Sequence, residues 1–130
     1  MATIVIVDGE PDMLYLLTLI ITNKTVYKVL TTTDLHEAIE WCKSHSADIL
    51  ITGLQMPEIE GIELSKIIKQ TDPNLPLIII TPFGIIESSV EAMLHRAFDF
   101  ITPPSKKEQI LTTIDKALKW RQEKLRNAIC

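Results

Sequence analysis

The stretch "DILITGLQMPEIEG", Asp48 to Gly61, decides the fold. After one acid it runs apolar and β-branched, the pattern of a strand buried on both faces. A loop follows, and "IELSKIIKQ" then opens a helix. The residue at the strand end is Gly53, which has no side chain. Strand ends of this kind often carry a reactive group, so an empty one raises a question about function.

The same unit recurs on both sides. "TIVIV" (Thr3–Val7) is a short apolar run that ends at Asp8-Gly9. Pro11 suits the first turn of a helix, and "DMLYLLTLIIT" is long enough to form it. "VYKVLTT" (Val26–Thr32) reads as a second strand. Asp34, with Glu37 three residues on, is an N-cap with a capping-box partner for "DLHEAIEWCKSH". "PLIIIT" (Pro76–Thr81) is a fourth strand, "ESSVEAMLHRA" a helix and "FDFIT" a short fifth strand. Ser105 and Glu108 form another capping box, for a helix that opens at Lys106. Strands alternating with helices five times predict an α/β fold, with a parallel sheet covered on both faces and right-handed crossovers. Sites in such folds lie at the carboxyl ends of the strands. Asp8, Gly53, Thr81 and Pro103 are expected to meet there.

Composition limits the function classes. The 130 residues favour one domain with one core. Lys and Arg number 13 against 17 Asp and Glu, a net charge of −4 that reads as solubility. No basic stripe appears, so nucleic-acid binding by this domain is not expected. The longest apolar runs fall well short of the about 20 residues that cross a bilayer. The N-terminus is too short and too quickly polar for a signal peptide. Cys42 continues the apolar set of Leu35, Ala38 and Ile39, so it reads as core, and Cys130 as an incidental terminal thiol. Neither cysteine has metal-ligand spacing, and a reducing cytoplasm fits both. His36, His45 and His95 are scattered and read as surface residues.

Four landmarks stand in order: "IVIVDGEPDM", "ADILITGLQMPEIEGIEL", "LPLIIITPFG" and "AFDFITPP". On these the chain resembles the receiver domain of bacterial two-component response regulators, from Thr3 to about Leu118. The resemblance implies a flavodoxin-like (βα)5 fold, a doubly wound five-stranded parallel sheet in strand order 2-1-3-4-5. It also implies a phosphorelay site. Two acids after the first strand would hold Mg²⁺, an Asp ending the third strand would accept a phosphoryl group, a Thr or Ser after the fourth would bond it, and a Lys after the fifth would neutralise it. Phosphoryl transfer needs these groups because it depends on positioning and charge compensation.

Taken residue by residue, the match is incomplete. Asp8 matches the first acid, but Gly9 stands at the second, and Glu10, one step along, points elsewhere. Gly53 stands at the acceptor. Gln55 stands where a backbone carbonyl would serve Mg²⁺. Thr81 matches the switch hydroxyl and Phe100 the rotating aromatic. Pro103 replaces the lysine, and Pro104 matches the family's proline. Glu58 and Glu60 read as solvated loop acids rather than substitute acceptors. Arg96 stands where the family often has a Gly that closes the fourth helix.

These departures predict a degenerate pseudo-receiver. Aspartyl phosphorylation and catalysis are absent from it, no cofactor is expected, and Mg²⁺ binding is weak or absent, with Asp8 the sole remnant ligand. Such a domain would act by protein–protein contact or self-association through the fourth helix, fifth strand and fifth helix. A histidine kinase or an output domain is the expected partner class. Two alternatives stay open: a ligand-binding domain that uses the strand-end crevice, or a receiver phosphorylated at a non-standard residue. The receiver-like domain is expected over 1–120. Residues 121–130 would extend the last helix toward an output domain. Leu111, Leu118 and Leu125 recur every seven residues with Ile114 between, too few for a coiled coil, and Arg121 interrupts the stripe.

Overall fold

The computed structural model describes residues 2–53, 61–80, 98–101 and 107–129. The chain order is β1 (Thr3–Val7), α1 (Pro11–Lys24), β2 (Lys28–Thr32), α2 (Leu35–Ser44), β3 (Ile49–Gly53), α3 (Gly61–Thr71), β4 (Leu77–Ile80), β5 (Asp99–Ile101) and α4 (Lys107–Ile129). The helix expected over "ESSVEAMLHRA", with His95 and Arg96, lies outside the described residues, as do Ser105 and Cys130. The last helix of the sequence reading is therefore α4 here. All five strands pair in parallel, in the order β2-β1-β3-β4-β5. This is the α/β parallel sheet of the receiver, or flavodoxin-like, fold.

Side chains along a strand point alternately to its two faces, and β1, β3 and β4 are apolar on both. Ile4 and Ile6, Ile49 and Ile51, and Ile78 and Ile80 join one core layer with α1 and α4. Val5 and Val7, Leu50, and Leu77 and Ile79 join the other with α2 and α3. That is why these strands read as continuous apolar runs rather than alternating ones. Cys42 is buried in the second layer as expected. Burial, followed by the negative charge of Asp72, pushes its thiol pKa from 9.0 up to about 12.

Two local expectations change. β2 begins at Lys28 rather than Val26, because residues 25–27 finish α1 instead. Thr25 bonds Ile21 through both its amide and its hydroxyl, and that hydroxyl accepts the Tyr27 amide at 3.2 Å. Val26 is left 80% exposed. At α2, Asp34 caps as expected, its Oδ1 accepting the His36 amide at 2.9 Å. The Asp34 amide, however, donates to Thr32 Oγ1 at 3.0 Å. The hydroxyl at the end of β2 thus takes the role that the sequence pattern gave to Glu37.

The last helix packs through Ile110, Ile114, Ala117 and Leu118. Arg121 continues that face and is itself buried. Its Nε donates to Asp48 Oδ1 at 3.1 Å. Its Nη1 donates to Asp72 Oδ2 at 2.9 Å and to the Asn74 carbonyl at 3.0 Å. The second Asp48 oxygen accepts the Thr3 amide at 2.8 Å. The residue that interrupts the leucine stripe therefore ties α4 to the amino edge of the sheet, and the packed domain reaches at least to Arg121. Leu125, one turn further, is 39% exposed.

Candidate functional site

The carboxyl edge is positioned by the register of β1 on β3. Val7 pairs with Thr52, so Asp8 and Gly53 leave the sheet side by side. Asp8 is half-buried, while Gly9 and Glu10 are exposed. The Asp8 amide donates to the Thr32 carbonyl at 3.3 Å, which holds the strand end against β2. Asp8 Oδ1 accepts the Glu10 amide at 2.8 Å, an aspartate turn that leads into α1. The Glu10 side chain does not cap α1, and its carbonyl accepts the first amides of that helix, from Met13 and Leu14.

The second Asp8 oxygen lies over Gly53. A Cβ built on Gly53 would stand 2.8 Å from Asp8 Oδ2 and 3.2 Å from Asp8 Cγ. A Cβ on Gly9 would meet nothing within 4 Å. Neither glycine sits in the left-handed region, so backbone torsion demands glycine at neither position. The two glycines that stand where the resemblance puts an acid and an acceptor therefore differ. A side chain at position 53 would have to displace the Asp8 carboxylate, and one at position 9 would displace nothing.

Of the remaining site residues, Thr81, Pro103 and Pro104 lie outside the described residues, as do Gln55, Glu58 and Glu60. Phe100 lies on β5, and its side chain is outside the description. His36 and His45 are exposed, as their spacing suggested. At the ends of β1 and β3 the described residues present the Asp8 carboxylate, the exposed Glu10 one step along and two glycines. Mg²⁺ takes near-octahedral oxygen ligands, and both Asp8 oxygens already face the protein. These residues do not fit the ion. Among the described residues no group of three or more His, Cys, Asp or Glu is placed to hold a metal. A hollow of about 220 Å³ does occur, but at the amino edge, between Ala2, Asp48, Arg121 and Leu125.

Comparison with known proteins agrees with this architecture. The family described as "Response regulator receiver domain" matches residues 4–115. The transcriptional regulatory protein GlrR of Escherichia coli is 33% identical over 117 residues, which cover 90% of this chain and 26% of GlrR. PgtA, the phosphoglycerate transport system transcriptional regulatory protein of Salmonella typhimurium, is 31% identical across 92% of this chain and 29% of its own length. A response regulator receiver domain from Clostridium thermocellum superposes with a TM-score of 0.80 at 25% identity, covering 96% of this chain and 98% of that one. NtrX from Brucella abortus reaches 0.87 at 24% identity, over 98% of this chain and 30% of NtrX, a likeness of fold. The chain belongs to the response regulator receiver domain family, a module of two-component signal transduction. It spans about a quarter of the length of the curated regulators it matches. No described helix is long and apolar enough to cross a membrane.

Proposed function

We propose that this domain is a degenerate receiver that signals by protein contact, without taking a phosphoryl group on aspartate and without catalysing a reaction of its own. One observation carries the reading. The acceptor position is Gly53, and a carboxylate from the neighbouring strand already lies against it. A phosphoryl group cannot be held by glycine, and the ammonium that would offset its charge is replaced at Pro103.

Two surfaces support a contact role. On the face expected from the sequence, Phe98 packs its ring 5.6 Å from Trp120 of the last helix, with Lys124 over the indole. On α1, Tyr15, Leu16 and Leu19 stay exposed, apolar area of the kind found at protein contacts. A histidine kinase, an output domain or a second copy would each suit such surfaces. In this reading Mg²⁺ is not a resident cofactor. The extension beyond Arg121 is the route to any attached output segment.

The test is incubation of the full chain with acetyl phosphate and Mg²⁺, followed by intact-mass measurement. No mass gain is expected. Stoichiometric uptake of one phosphoryl group would overturn the proposal, and peptide mapping would then name the acceptor.

A further inference from the structure

The Asp8–Gly53 contact does more than mark a loss. Standard bond lengths place an aspartate's own carboxylate oxygen about 2.4 Å from its Cβ. Asp8 Oδ2 lies 2.8 Å from the place of the missing Gly53 Cβ, nearly the same separation. Any side chain at position 53 would therefore begin against a carboxylate from the adjacent strand. Asp8 Oδ1 is held by the Glu10 amide at 2.8 Å, which fixes the side chain in that direction. Real Cβ atoms do not approach an oxygen that closely, so this arrangement exists only with glycine at position 53.

We propose that Asp8 is a built-in stand-in for the acceptor side chain, and that Gly53 is the residue that admits it. The proposal deepens the reading above and rests on it. The one acid left from a Mg²⁺-binding pair is turned inward against β3, where it fills the site rather than serving an ion. The strand-end centre is thereby held in one state, whatever phosphoryl donors or divalent cations surround it. Gly9 has no such partner, so its lost acid is uncompensated.

The test is a double-mutant cycle on the intact chain with Gly53→Ala, Asp8→Ala and the double variant. Asp8→Asn serves as the shape-preserving control. Two signals are read: the Glu10 amide resonance and the thermal midpoint. Gly53→Ala should evict the carboxylate and move the Glu10 amide to its position in Asp8→Ala, while Asp8→Asn leaves it near wild type. In the Asp8→Ala background, Gly53→Ala should raise the midpoint by about 2–4 °C, because alanine narrows the unfolded ensemble. In wild type that gain should be absent, because the side chain must first displace Asp8. An unmoved Glu10 amide in Gly53→Ala, or additive midpoint shifts, would overturn the stand-in. Either result can occur while the protein still refuses acetyl phosphate, so the two proposals fail separately.

Discussion

The paired strands β1 and β3 have an aspartate at each edge, Asp48 at the amino edge and Asp8 at the carboxyl edge, and the two have opposite surroundings. At the amino edge, Asp48 takes one bond from Arg121 and one from the Thr3 amide, while Asp72 and the Asn74 carbonyl accept from Arg121 Nη1. At the carboxyl edge, Asp8 has a single hydrogen bond to its own turn and lies over a glycine. Receiver chemistry would sit at the second edge, where the described residue at the end of β3 is a glycine. The contrast teaches that the two edges of one sheet can be held by very different means. Among the described residues, Asp8 is held by a bond within its own turn, whereas the amino edge anchors the last helix through partners from distant positions.

The largest effect should come from breaking the amino edge. Arg121→Ala leaves two half-buried carboxylates without their shared cation, with side chains 30% and 29% exposed. Loss of about 3 kcal/mol is expected, read as a lower urea midpoint with an unchanged slope. If Arg121→Ala costs no more than changes around Asp8, the contrast between the edges is wrong.

The next effect sharpens the same edge through Cys42, whose thiol is raised by burial and then by Asp72. The native state holds this proton more tightly than the unfolded chain does. The stability contribution is complete below pH 9.0 and is lost as pH climbs toward about 12. Each unit in that window removes up to about 1.4 kcal/mol. Chemical unfolding at pH 8, 9.5 and 10.5 should show the fall, and Cys42→Ala should flatten it. Below pH 9 the native thiol should also resist alkylation.

A smaller loss is expected at the carboxyl edge, where Asp34 still caps α2. Asp34→Ala should cost about 1 kcal/mol in thermal or urea unfolding. The smallest change belongs to Gly9→Ala, whose Cβ meets open space. It should be neutral or stabilising by up to about 1 kcal/mol. A clear loss there would mean that the Asp8 turn depends on glycine at position 9 as well as at 53.

Much of this was legible without coordinates, and the reasons are local. Apolar runs gave the strands, the Cys42 set gave a helix face, and Asp34 announced a cap, because each signal lies within a few residues. The misreadings involve competition between neighbours. Glu37 was the patterned partner for the Asp34 amide, but Thr32 is bonded to it. Val26 looks like strand, yet Thr25 bonds Ile21 and the Tyr27 amide first. Gly53 was visible as a missing acceptor. That a carboxylate had entered its place was not, because no sequence pattern reports how close two strand ends come.

The sequence by itself determined the alternation of strands and helices, the core, and the absence of an acceptor and a lysine from the receiver pattern. Only the tertiary structure decided what the leftover polar residues do. Arg121 reads as a flaw in a leucine stripe until its partners arrive from 73 and 49 positions away. Asp8 reads as a remnant acid that caps its loop, and the parallel register of β1 on β3 also sets it against Gly53. Periodicity and capping act within a turn or a strand. A charge finds its role only where the folded chain brings a distant partner within a hydrogen bond.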